Sequence, residues 1–118
     1  MILVDSSVWI DHLRKGDRRL ASLLEDEQVL VHPYVIGELA CGKLRRRYEI
    51  LGLLRALPQA DLAGDAEVHH LLETRRLWGR GLGWVDMHLL ASALLSRCTL
   101  WTRDRRLAAV ASEITGEH

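Results

Sequence analysis

Apolar residues along the chain fall into three short runs separated by stretches of helical spacing. Ile2-Leu3-Val4 and Val29-Leu30-Val31 show no polar alternation, the pattern of strands buried on both faces, and Thr99-Leu100-Trp101 is a third candidate. Asp5-Ser6-Ser7 supplies capping residues for a helix directly after the first run. Asp17 can cap a second helix with Leu20, Leu23 and Leu24 on one face, and Pro33 suits the first turn of a third, ending near Gly42. Further helices are expected over 44–57, stopping before Pro58, and over 65–77, 85–97 and 104–111. The segment from Trp78 to Trp84, with Gly79, Gly81 and Gly83 at alternate positions, reads as a loop.

Strands alternating with helices, and no hairpin turn signal, predict an α/β fold: a single domain over residues 1–118, built as a three-layer α/β/α sandwich around a short parallel sheet. After Ala111 the chain is too polar to promise a final edge strand, so the sheet is expected to lack one.

Composition narrows the partners. The 118 residues are 48% apolar, and 16 acidic residues balance 16 basic ones, so any polyanion site must be local rather than a general basic coat. No apolar run approaches the ~20 residues that span a bilayer. Cys41 and Cys98 lack metal-ligand spacing and the start carries no signal-like segment, which makes a reducing cytoplasm the expected home. Only Lys15 and Lys43 are lysines; the arginine bias suits bidentate phosphate contacts, and a genome rich in G and C would produce it equally.

The candidate chemistry lies in four scattered carboxylates. In open parallel sheets, ligands collect at the carboxyl ends of the strands. Asp5 follows the first strand and Asp104 follows the third by three residues, while Glu38 and Asp86 sit in the first turns of helices that start near the same edge. Taken singly, Asp86 and Asp104 read equally as helix caps. Taken together, four like charges raise one another's pKa and oppose folding unless a cation neutralises them. Oxygen donors with no His or Cys partner suit Mg²⁺ or Mn²⁺ and, through those ions, phosphoryl transfer.

Four short motifs, Met1 to Asp11, Val35 to Leu39, Gly83 to Ala91 and Leu100 to Leu107, resemble in order and spacing the PIN-domain nucleases. Within that family the likeness is to the VapC-type toxins of bacterial and archaeal toxin–antitoxin pairs, and it covers nearly the whole chain. The resemblance implies a ribonuclease in which Asp5, Glu38, Asp86 and Asp104 bind Mg²⁺ or Mn²⁺. It gives supporting roles to Ser6, Ser7 and Thr102. It also implies an RNA substrate, a homodimer and an inhibitory VapB-type antitoxin. One departure is the absence of any Phe, so that Leu107 stands where an aromatic often follows the last aspartate.

Other features carry two readings each. The arginines at 45–47, 75–76, 80, 103 and 105–106 are either solvated helix faces or a phosphate rim, with Arg80 and Arg103 the best placed for substrate. Trp78 and Trp84 could stack on unpaired bases, although a tryptophan beside a helix start more often packs. Trp9 and Trp101 read as core or interface, and His12, His69, His70 and His88 as structural or surface residues. Competing functions are a catalytically dead scaffold of the same fold and a DNA nuclease. A phosphatase or receiver domain is disfavoured, since Asp5-Ser6-Ser7 lacks Asp-x-Asp and no lysine follows Lys43.

Overall fold

The computed structural model describes residues 1–115. Strand β1 (Ile2–Val4) lies in the middle of a parallel sheet, between β2 (Val29–Leu30) and β3 (Thr99–Trp101). The register pairs Leu3 with Leu30 on one side and with Leu100 on the other. Leu3 and Val4 are fully buried, as the unbroken apolar runs require. Beyond the end of β2, Val31 exchanges backbone hydrogen bonds with Pro58 and Ala60, which covers that edge of the sheet.

Helices α1 (Ser6–Lys15) and α2 (Arg18–Glu25) connect β1 to β2. The return to β3 runs through α3 (Pro33–Cys41), α4 (Arg47–Ala56), α5 (Asp65–Thr74) and α6 (Trp84–Ser96), and α7 (Arg105–Thr115) follows β3. The chain leaves β1 in one direction and comes back across it in the other. Right-handed crossovers at both steps therefore put helices on both faces of the sheet, the expected α/β sandwich.

Capping explains most helix starts. Asp17 accepts from the Leu20 amide at 2.9 Å, and His32 caps α3 by accepting from the Tyr34 amide at 2.9 Å, with Pro33 in the first turn. Three boundaries differ from the sequence reading. Helix α4 begins at Arg47 instead of residue 44, because Arg46 adopts a left-handed φ of 52° while Leu44 packs on the core from the preceding turn. Helix α5 ends at Thr74: the left-handed Arg76 lets the Leu77 amide bond back to Leu72, a Schellman closure that still buries Leu77. Helix α7 runs one turn past Ala111, since Ile114 packs against the core. The sheet accordingly has three strands among the described residues; the last part of the polar tail, 116–118, lies outside them.

A continuous apolar core joins both helical layers through the sheet. Its axis is α6, in which every residue from Met87 to Ala93 is buried. No helix among the described residues is long and apolar enough to cross a membrane. Leu89, with no exposed surface, should cost ~2–5 kcal/mol when cut to Ala, whereas Leu95→Ala, at a residue 45% exposed, should cost under ~1 kcal/mol. Urea titration of both variants checks this assignment of the core; similar losses from the two would contradict it.

Candidate active site: a carboxylate cluster at the sheet edge

Because β1 and β3 are parallel neighbours, their carboxyl ends open at the same edge. Asp5, the first residue after β1, still donates its amide to the Trp101 carbonyl at 2.9 Å, so the strand ladder itself places it. Its carboxylate is buried and caps α1, with Oδ1 accepting from the Ser6 amide at 2.8 Å. Oδ2 accepts from the hydroxyls of Ser7 at 2.9 Å and Thr102 at 2.7 Å.

Those two hydroxyls are links in short chains. Ser7 Oγ accepts from the Arg103 amide at 3.0 Å and Thr102 Oγ1 accepts from the Asp104 amide at 3.0 Å. The β3–α7 turn is therefore tied to Asp5 at two points. Ser6 Oγ lies 3.2 Å from Glu38 Oε1 and 3.4 Å from Asp5 Oδ1; with one hydrogen to give, it serves one carboxylate at a time.

Asp86 and Asp104 are both helix caps and members of the cluster. Asp86 Oδ2 reaches back to the Gly83 amide at 2.9 Å, and Asp104 Oδ1 accepts from the amides of Arg106 and Leu107 at 2.9 and 3.1 Å. Desolvation by the surrounding protein raises the Asp86 pKa most, against the Gly83 hydrogen bond, and the charges of Asp5 and Asp104 raise it further. Glu38 is raised in the same way: desolvation leads, the Ser6 hydroxyl opposes it, and Asp5 and Asp86 add to the rise. These couplings link all four carboxylates electrostatically.

Such an accumulation of negative charge, with oxygen donors only, fits a hard divalent cation. Among the described residues no three ligating side chains converge tightly enough to wrap one ion by themselves. A hard divalent ion at such an edge would keep several waters and take only one or two carboxylates directly.

The arginines singled out in the sequence are engaged with carboxylates. Arg80 forms a bidentate pair with Glu113 at 2.6 and 2.7 Å. Arg103 bridges Asp11 at 2.6 Å and Asp17 at 2.7 Å, clamping the β3–α7 turn to the first two helices. Sequence spacing gives no sign of Asp11 in this role, because its partner lies more than ninety residues away. The sequence marks Gly81 as a loop residue but gives no sign of its contact with Arg106. Its φ is +83° and a Cβ there would come within 2.7 Å of the Arg106 side chain, which lies across the loop leading to Asp86.

Trp9 is buried in the core, and Trp101 is half-buried with the Arg19 guanidinium 4.4 Å from its ring. Trp78 is 56% exposed, while Trp84, at 40%, packs only partly, on His69 and His88. His12 accepts from the Asp17 amide through Nδ1. His88 is buried, and its Nε2 comes within 3.2 Å of Asp65 Oδ1 without the alignment of a hydrogen bond.

A family model described as PIN domain matches residues 2–113. Ribonuclease VapC32 of Mycobacterium tuberculosis, from strain CDC 1551 / Oshkosh and from strain ATCC 25618 / H37Rv, is in each case 53% identical to this chain over 114 residues. The match covers 96% of this chain and 92% of each relative.

Two stability measurements test the electrostatics. Folding raises the Glu38 pKa, so ionising this group opposes folding at neutral pH. Glu38→Gln should then raise the melting temperature of the metal-free protein by about 1–3 °C, the scale of a few tenths of a kcal/mol after solvent screening; a fall would contradict this reading. Burial, and after it the charge of His88, depresses the His32 pKa to about 4. The unfolded chain thus takes up a proton near pH 6.5 that the folded chain refuses, and stability is lost as pH falls from 6.5 toward 4. His32→Asn keeps a capping side chain and should flatten the stability profile between pH 7 and 5, as followed by urea melts.

Proposed function

The chain belongs to the PIN-domain family, among its VapC-type members, and from that premise we propose that it is a metal-dependent endoribonuclease, the toxin of a toxin–antitoxin pair. The observation that carries this reading is the convergence of Asp5, Glu38, Asp86 and Asp104 at one sheet edge, coupled by charge and gathered around a buried, hydroxyl-held Asp5.

All four carboxylates are assigned to hold Mg²⁺ or Mn²⁺, directly or through the ion's waters. When bound, the ion supplies charge neutralisation at the scissile phosphate and a lowered water pKa. The protein does the positioning. Ser7 and Thr102 hold the Asp5 carboxylate in one orientation, and the caps at Gly83 and at the start of α7 hold Asp86 and Asp104. Glu38, at the exposed rim and with its pKa raised, is the best placed to take the proton of the attacking water; Ser6 steadies it. Water attacks phosphorus as the P–O bond to one ribose oxygen breaks and that oxygen leaves to become a hydroxyl, protonated from solvent, with no covalent enzyme intermediate.

Arg80 and Arg103 are assigned as phosphate contacts. Both guanidiniums are more than a third exposed, and surface ion pairs of this kind are worth ~1 kcal/mol or less, so phosphate can displace their carboxylate partners. Binding should weaken as salt rises. The same reading makes residues 1–118 one domain, supported by the continuous core, acting as a homodimer in the cytoplasm and silenced by a VapB-type antitoxin.

Purified, antitoxin-free protein incubated with total cellular RNA should give discrete cuts with Mg²⁺ or Mn²⁺ and none with EDTA. Asp5→Asn should lower the rate by at least ~100-fold, and Thr102→Val, which removes one support of Asp5, by ~10- to 100-fold. Cleavage of DNA but not RNA would reassign the substrate, and intact RNA with folded protein would favour a binding scaffold.

A further inference from the structure

Two aromatic rings stay partly open to solvent within a helical turn of the carboxylates. Tyr34 precedes Glu38 by four residues and so shares its face of α3; Trp84 stands two residues before Asp86 in the first turn of α6. Tyr34 is 41% exposed and Trp84 40% exposed. Both lean on one buried residue: the His88 imidazole meets Tyr34 at 4.9 Å and 61°, and Trp84 at 4.9 Å and 82°. His32, also buried, supports Tyr34 from behind at 5.0 Å, and His69 lies against Trp84 at 4.7 Å. The rings are thus held in place by an aromatic underlayer instead of swinging freely.

We propose that Tyr34 and Trp84 form a platform on which an unpaired RNA base stacks beside the carboxylate cluster, making them specificity-determining residues. This rests on the ribonuclease reading above. Three observations choose a base over other occupants. Along α3 and α6 the rings stand four and two residues from Glu38 and Asp86, rises of ~6 and ~3 Å, which is within the reach of a nucleotide flanking the scissile phosphate. No arginine or lysine belongs to this ring cluster, so what it turns to solvent is chiefly the π-faces of Tyr34 and Trp84. Neighbouring carboxylates repel a phosphate but not a neutral base. Stacking tolerates any base and requires it to be unpaired, so the platform selects single-stranded over duplex RNA.

The test is the affinity of a short fluorescein-labelled single-stranded RNA, read by anisotropy in EDTA and in Ca²⁺ with intact RNA verified on gels. Tyr34→Leu and Trp84→Leu should each weaken binding by ~10-fold, while Tyr34→Phe and Trp84→Phe stay within about twofold of the parent. One abasic substitution in the RNA should weaken parent binding and have no further effect on the Leu variants. Equal affinity for parent and Leu variants, an undiminished abasic effect, or no RNA binding by the parent would overturn the platform. So would weakened binding that only tracks a lower melting temperature, or loss of antitoxin capture with RNA affinity unchanged. RNA bound in a ring-dependent way but never cut with Mg²⁺ or Mn²⁺ would retain the platform and remove the ribonuclease reading; RNA cut with ring-independent affinity would do the reverse.

Discussion

Two segments of the chain, the start of α1 and the β3–α7 turn, meet on the Asp5 carboxylate. One oxygen caps α1, and the other accepts the hydroxyls of Ser7 and Thr102, the latter 97 residues away in sequence. A buried carboxylate costs free energy unless it is hydrogen-bonded, and here the two hydroxyls that donate to Oδ2 also receive the amides of Arg103 and Asp104. Satisfying Asp5 therefore docks the β3–α7 turn. The same bonds orient an acidic residue and close one end of the fold.

This economy recurs at the other carboxylates. Asp86 and Asp104 cap helices through a single oxygen each, which removes their side-chain freedom without consuming the whole carboxylate. The capping and metal-binding readings of these positions are not rivals, since a cap is a means of aiming a ligand. What capping does not offset is the charge. The carboxyl groups of Glu38 and Asp86 are held protonated to higher pH than usual, and a site arranged in this way gains most when a cation arrives.

Arginine has a structural part in the same region. Arg103 joins α1 and α2 to the turn that carries Asp104, and Arg106 lies across Gly81 in the loop that leads to Asp86. The mobility of the acidic edge is limited by these contacts as well as by Asp5. Any phosphate approaching this rim would have to compete with carboxylates already in place.

Much of this was legible in the linear sequence. Unbroken apolar runs marked the three strands, and Asp17 and Pro33 marked helix starts, because these signals act within a few residues. Order and spacing of the motifs pointed to Asp5, Glu38, Asp86 and Asp104, four carboxylates that the fold brings within electrostatic reach of one another. The sequence did not disclose where helices α4 and α5 begin and end, since left-handed Arg46 and Arg76 do work that glycine usually signals. Nor did it disclose that Arg103 meets Asp11 and Asp17, or that His88 is buried between Tyr34 and Trp84. Local propensity is written along the chain, whereas ion pairs and ring contacts depend on which helix faces the packing of the sheet brings together, and only the tertiary structure decides that.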